Sequence, residues 1–399
     1  MKKNKLNDGY SYVKIGDLTE VITGGTPSTK KNEYWQGGNI PWLPSGECKD
    51  SEINYASKFI TEEGLKNSSA KLMPVNTVVI ALTGATTGKV GILGIEASAN
   101  QSVTGIVPNE KFISKYIFYY LRSIREKILN DSYGGAQKHI SQGYVKELEV
   151  LLPPIDIQNK IVSVLERTEN AISKKKECIR LLDELIKSQF IEMFGDPVQN
   201  PLGWQLKPFL DSGNCKNGMN FSATETGVEL QYLGVGDFKD LSKIEDVNNL
   251  GKVSLNKMPS TEYLLQDGDI VFVRSNGNKA LVGRCLAVYP NGIPTTYSGF
   301  CIRYRKTDKS LEIPYLLQVL KTDSMRKNMA GRGANIQNLN QQILGELMIP
   351  IPPIELQNQF ADFVKQVDKL KFEMEQSLKE LENNFNSLMK DAFSGKLSL

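Results

Sequence analysis

A long internal repeat constrains this chain more than any other feature. Pro153-Pro154-Ile155-Asp156-Ile157-Gln158-Asn159 returns as Pro352-Pro353-Ile354-Glu355-Leu356-Gln357-Asn358, an offset of 199. Glu147-Leu148 with Glu346-Leu347, Tyr116-Ile117 with Tyr315-Leu316, and Ile140-Ser141 with Leu339-Asn340 keep that offset. Nearer the front of each half the offset falls to 192, pairing Leu72 to Val79 with Leu264 to Val271, Val90-Gly91 with Val282-Gly283, and Tyr12 with Trp204. The seven-residue difference reads as a loop insertion between about 283 and 315, where a surface connection tolerates added length. A chain of 399 residues is then one unit built twice, joined near Gly195-Asp196-Pro197.

Each unit has two parts. The leading part is rich in Gly, Thr, Tyr and Val, and Val78 to Leu82, Val90 to Leu93, Ile270 to Val273 and Arg284 to Val288 read as buried strands. Lys115 to Leu129 and Ile313 to Met329 carry apolar residues at helical spacing and close each leading part. The trailing part follows each Pro-Pro and contains neither Gly nor Pro over Ile155 to Met193 and Ile354 to Phe393, which predicts two long helices. The expected fold is α+β: a first domain over 1–152, a central helical spacer over 153–195, a second domain over 196–351 and a C-terminal helical spacer over 352–399.

The helices carry heptad stripes. In the second, Val364, Val367, Met374, Leu378, Leu381, Phe385, Leu388 and Ala392 alternate three-four spacing, interrupted at Lys371. In the first, the stripe is Ile155, Val162, Leu165, Ile172, Ile179, Ile186, Phe190 and Met193, interrupted at Glu169, Lys176 and Asp183. Each helix extends about 58 Å and cannot bury its stripe unaided. Two copies related by a pseudo-twofold axis set the helices antiparallel as a coiled coil, with a globular domain near each end; packing of each helix on its own domain is the alternative.

Apolar residues at 40% and charged residues at 23% suit ordinary globular domains and exclude wholesale disorder. Apolar runs such as Val78 to Leu82 fall far below the ~18 residues of a membrane span, and the basic start lacks an apolar signal core, so a cytoplasmic location is expected. The five cysteines, Cys48, Cys178, Cys215, Cys285 and Cys301, form no Cys-x-x-Cys pair and read as buried free thiols, with no metal site. The one histidine, His139, excludes a two-histidine zinc protease and an HNH nuclease, and no Gly-x-Ser-x-Gly elbow accompanies it for a hydrolase triad. The net charge of +3 divides unevenly. The two helices hold twelve basic and fifteen acidic side chains, so they carry −3 and the domains +6. A positive potential on the domains suits nucleic acid.

Three pairs of equivalent segments carry the polar chemistry. Thr83, Thr86, Thr87 and Lys89 follow the Val78–Leu82 strand, but Gly84 and Gly88 are too close and Val90 stands where a phosphate loop needs Ser or Thr. Their partners are Arg274, Ser275, Asn276, Asn278 and Lys279, a polar, basic loop. These residue types make phosphate and base-edge hydrogen bonds, with an ordinary solvated hairpin as the alternative. A second pair holds Gln137, Lys138 and His139 against Arg332, Asn335, Gln337 and Asn338, each beside glycines that permit close approach. Lys30 and Lys31 complete the candidate DNA contacts. A third pair aligns Ile40 to Glu47 with Leu230 to Asp237 and places Trp42 and Tyr232 in the core in preference to a stacking surface. Both Pro-Pro pairs lie between aliphatic residues and read as helix caps, not as the Pro-Pro element of an adenine methyltransferase. Asp237-Phe238-Lys239 resembles the end of a nuclease motif but has no counterpart in the first half.

The repeat, the two Pro-Pro-x-x-x-Gln junctions, and the opening Ile15-Gly16-Asp17-Leu18, Gly24-Gly25-Thr26-Pro27-Ser28 and Ile40-Pro41-Trp42 together closely resemble the DNA-specificity subunits of type I restriction-modification enzymes over essentially the whole chain. The resemblance implies a non-catalytic subunit. Two target-recognition domains would each read one half of an asymmetric DNA site, and the two helices would fix the gap. It implies two methyltransferase subunits, which use S-adenosylmethionine to methylate adenine N6, and restriction subunits that use ATP and Mg²⁺, with no cofactor in this chain. A coiled-coil adaptor without DNA specificity is the other reading.

Overall fold

The computed structural model describes residues 9–133, 138–222, 224–238, 242–330 and 338–397. The chain forms two compact units, Met1–Lys176 with Gln376–Leu399, and Glu177–Glu375. The linear division at 152, 195 and 351 therefore differs from the compact grouping. Each long helix, Ile155–Phe194 and Ile354–Phe393, begins in one unit and ends in the other.

In the first unit the strands are β1 (Ser11–Lys14), β2 (Val21–Thr23), β3 (Ile40–Leu43), β4 (Ser51–Ile53), β5 (Lys58–Ile60), β6 (Val78–Ala81), β7 (Val90–Leu93), β8 (Ser98–Ala99), β9 (Val103–Ile106) and β10 (Glu149–Leu152). They form a five-stranded sheet ordered β2-β9-β6-β7-β4, a three-stranded sheet β5-β3-β8 and a β1-β10 ladder. The second unit has β11 (Gln205–Pro208), β12 (Gly213–Asn217), β13 (Val228–Leu233), β14 (Lys243–Ile244), β15 (Gly251–Leu255), β16 (Asp269–Val273), β17 (Cys285–Val288), β18 (Thr295–Tyr297), β19 (Cys301–Lys306) and β20 (Met348–Ile351). Its sheets are ordered β12-β19-β16-β17-β14, β15-β13-β18 and β11-β20, so the repeat is a repeat of topology.

Strand register corrects the alignment in two places. Ser11 lies opposite Leu152 and Gln205 opposite Ile351, so Tyr12 corresponds to Leu206 and not to Trp204. Trp204 instead closes the joint, its indole N–H donating to Phe194 O at 3.1 Å. Val78 faces Ile92 while Ile270 faces Ala287, so Val90 corresponds to Cys285 and not to Val282. Gly88 and Gly283 hold the matching turn position, with φ of +75° and +77°, where a side chain would be strained. Their amides donate to Ala81 O and Val273 O, both at 2.9 Å. Three of the added residues therefore lie before Gly283, in the β16–β17 turn.

Each helix expected to close a domain is two helices. Ser114–Ser123 is followed by Arg125–Asp131, and Ile313–Lys321 by Asp323–Ala330. At the breaks the hydroxyls of Ser123 and Thr322 donate to Tyr120 O at 2.7 Å and Val319 O at 2.8 Å. This local bond competes with the helical ladder. The first helix of each pair covers one face of the five-stranded sheet, with Tyr116 and Tyr315 fully buried in the respective cores. Their hydroxyls donate to Leu151 O at 2.6 Å and Pro350 O at 2.9 Å.

The Pro-Pro-x-x-x-Gln junctions acquire a physical reason. Gln158 is 1% exposed and Gln357 is fully buried. Gln158 accepts from Ile113 N at 2.9 Å and donates to Pro153 O at 2.9 Å. Gln357 accepts from Glu312 N at 2.9 Å and donates to Pro352 O at 2.9 Å. Each amide thus ties the start of a long helix to the chain entering the preceding helix pair.

Within each unit the two long helices run antiparallel. In the first unit Tyr119 meets Glu169 on the central helix and Phe385 on the C-terminal helix, while Lys176 pairs with Glu382 at 2.7 Å. In the second, Phe190 packs on Phe360 with ring centres 5.5 Å apart, and Lys371 pairs with Asp183 at 2.6 Å. The charged interruptions of the stripes thus find partners in one another, elsewhere on the facing helix or on the domain. Val162, Leu165, Phe190, Val367, Phe385 and Ala392 are buried, while Ile172, Ile179, Ile186, Val364, Met374, Leu378 and Leu381 are half-buried. Both packing alternatives hold in part: the helices pair, and their end turns are buried on the domains. Phe360, buried at the head of the second stripe, extends the seam one step beyond Val364.

Candidate nucleic-acid interface

In the first unit three connections converge where β6 ends. Leu82 N donates to Ser102 O at 2.8 Å, and Ile140 N donates to Leu82 O at 2.9 Å. The Thr83–Lys89 turn, the β8–β9 turn at Asn100–Ser102 and the Lys138–His139 segment are thereby held together. A fourth connection presses against them at Gly24, where an added Cβ would lie 2.2 Å from Ala99 O, so only glycine fits. Beyond it the Thr26 hydroxyl donates to the exposed Gln101.

The candidate side chains there divide by role. Thr87 is 3% exposed, and its hydroxyl lies 2.9 Å from both Gly84 O and Lys138 O, so it builds the turn and is not presented to a ligand. Thr86 donates to Thr83 O at 3.2 Å, and Thr83 bridges to His139. Lys138 donates to Leu129 O at 3.0 Å, capping the second helix of the pair. Lys89 is half-exposed and makes no hydrogen bond or ion pair through its ammonium group among the described residues. His139 is half-exposed, its ring edge-on to Tyr133 at 5.0 Å. Lys30 and Lys31 are exposed further along the Gly24 loop, and the Lys31 ammonium sits over the Tyr34 ring at 4.7 Å.

The second unit repeats this crossing. Arg274 N donates to Phe300 O at 2.7 Å, and Leu339 N donates to Arg274 O at 2.8 Å. Around it lies an open concavity of about 600 Å³, lined by Tyr232, Ser275, Asn276, Ser298, Phe300 and Asn338. Asn276 and Asn278 accept from Asn278 N at 2.7 Å and Ala280 N at 3.1 Å, which shapes the turn. Arg274 is half-buried, 3.5 Å from Gly299 O. Gln137, Arg332, Asn335, Gln337 and the Lys279 side chain lie outside the described residues. Sequence reasoning missed Gln101, Ser298 and Phe300, because the β8–β9 and β18–β19 turns carry no glycine-rich or basic signal. Trp42 is buried, its indole donating to Gly25 O at 2.9 Å. Tyr232, expected in the core, is only half-buried and faces the concavity.

Among the described residues no group of acidic, histidine and cysteine side chains could hold a metal, and no helix is long and apolar enough to cross a membrane. Asp237, from the nuclease-like fragment, accepts from Gly234 N at 2.8 Å and caps a turn. Burial pushes the Cys48 and Cys301 thiols up to about 12 and Cys285 up to about 11, far from thiolate chemistry near neutral pH. Contrary to expectation, Cys178 is exposed and Cys215 half-buried.

The family model for the type I restriction modification DNA specificity domain matches residues 7–180 and 231–383, one match in each half. The chain belongs to this family. It is the specificity subunit of a type I restriction-modification system, with two target-recognition domains. It is 28% identical over 296 residues to the type I restriction enzyme MjaIX specificity subunit of Methanocaldococcus jannaschii, covering 68% of this chain and 67% of that one. It is 23% identical to the StySPI specificity subunit of Salmonella potsdam, covering 100% and 91%. Among solved structures, a chain from a study of complex assembly and conformational transition of the type I restriction-modification system matches with TM-score 0.66, 18% identity and coverage of 99% and 100%. The specificity subunit from M. genitalium matches with TM-score 0.54, 16% identity and coverage of 98% of each chain. These likenesses establish a shared fold.

Proposed function

We propose that each recognition domain reads one half of a split DNA site through the connections that cross at Leu82 or Arg274. One observation supports this above others: the same hydrogen-bonded crossing recurs in both units but presents different side chains, Gln101, Ser102 and Lys89 in one, and Phe300, Asn276 and Asn338 in the other. A fixed frame with different polar and apolar tips is what two readers of unlike half-sites require. The chain itself performs no chemistry in this reading. It brings two methyltransferase subunits, carrying S-adenosylmethionine, to adenines in the two half-sites, and restriction subunits supply ATP- and Mg²⁺-dependent cleavage. The paired helices join the two readers and set the gap between half-sites. The candidate contacts Lys30, Lys31, Lys89, Lys138, His139, Arg274 and Asn338 supply phosphate anchoring and polar base contacts.

Selection from a random duplex library, with the purified chain alone and with its methyltransferase partner, tests this. The partnered chain is expected to enrich two fixed blocks separated by a fixed gap. An adaptor without DNA specificity enriches nothing in either arm.

A further inference from the structure

We infer that Phe300 is an apolar specificity determinant of the second recognition domain, contacting the C5-methyl group of a thymine in its half-site. The inference rests on the reading of that domain as a DNA reader. Phe300 is 59% exposed at the rim of a concavity otherwise lined largely by hydroxyl and amide side chains. Its backbone is fixed: its N–H donates to Ser298 Oγ at 3.1 Å and its carbonyl accepts from Arg274 N at 2.7 Å. The ring is therefore held outward by the turn.

The turn does not need that ring. The equivalent position in the first unit is Ser102, whose N–H donates to Asn100 Oδ1 at 3.1 Å and whose carbonyl accepts from Leu82 N at 2.8 Å. The same bonds form around a small polar residue, so the phenyl group serves something outside the fold. In the major groove the only apolar group a base pair offers is the thymine methyl, and Phe suits it while the neighbouring Asn276 and Asn338 amides suit base-edge donors and acceptors. The two recognition domains thus differ in kind at one position, apolar in one and polar in the other.

The test uses the full chain with its methyltransferase partner on duplexes carrying its own site, replacing each thymine in turn by deoxyuridine, which removes only the methyl. In the native protein one position of the half-site read by the second domain is expected to lose about three- to tenfold in affinity, the scale of one buried methyl. Phe300→Ser is expected to abolish that dependence, Phe300→Leu to retain it, and neither to change the profile of the other half-site. Equal deoxyuridine penalties in native and Phe300→Ser proteins, or no sensitive thymine in that half-site, overturn the inference. So does loss of partner binding by Phe300→Ser with the methyl dependence intact, which identifies a protein contact. Failure of the native complex to prefer any site would instead overturn the reading on which the inference rests.

Discussion

At the residue scale, the side chains that return at fixed spacing do so for packing, and the proposed function assigns the reading chemistry to those that differ between the halves. Gln158 and Gln357 are the clearest case of the first kind. A buried amide that joins two backbone groups cannot be exchanged for an apolar side chain without stranding them. Gln158→Met keeps the volume but leaves Ile113 N–H without its acceptor. It is expected to destabilise the protein by about 1–3 kcal/mol, measured by urea denaturation, while leaving the DNA half-site preference unchanged. Thr87 teaches the opposite lesson. Its residue type suited a base contact in the sequence, but its hydroxyl is consumed by carbonyls inside the turn. Residue type fixes what bonds a group can make, and only the chain path decides which partner takes them. Phe300 escaped the sequence reading for the same reason: one residue before a buried strand, it looks like core, and only the tight β18–β19 turn exposes it.

At the element scale, periodicity carried the long helices almost to the residue, because a Gly- and Pro-free stretch of such length with a heptad stripe has few other solutions. The strands were legible as apolar runs. The breaks at Ser123 and Thr322 were not, since a single hydroxyl that turns back onto the preceding helix leaves the apolar spacing intact. Turn insertions were equally hidden, because residues between β16 and β17 are under no periodic constraint. The paired helices make a prediction of their own. Lys176–Glu382 and Asp183–Lys371 fix their register, so a heptad added between them in one helix alone cannot leave both bridges paired. One heptad inserted in each, after Lys176 and after Lys371, keeps the seam in phase and adds about 10 Å. The gap between half-sites is expected to lengthen by about three base pairs at ~3.4 Å each, with both half-sites unchanged, as read by methylation mapping. An unchanged gap would remove the helices from any role in spacing.

At the scale of the whole molecule, duplication explains more than any motif. Two copies of one fold provide two frames of the same topology, and divergence at the turn tips gives each frame its own surface without disturbing the cores that hold it. Both long helices are divided between the compact units, so neither unit owns a complete spacer. The charge follows this division of labour, with the positive excess on the domains and the negative excess on the helices. In the proposed function one chain holds two independent readers. Sequencing the modified adenines in DNA from cells that express this chain with its methyltransferase partner separates two readers from one. The expected result is a single motif of two specified blocks separated by an unspecified gap of fixed length, with Lys89→Ala altering modification through one block and Phe300→Ser through the other. A contiguous motif, or a substitution in one unit that relaxes both blocks together, would contradict it.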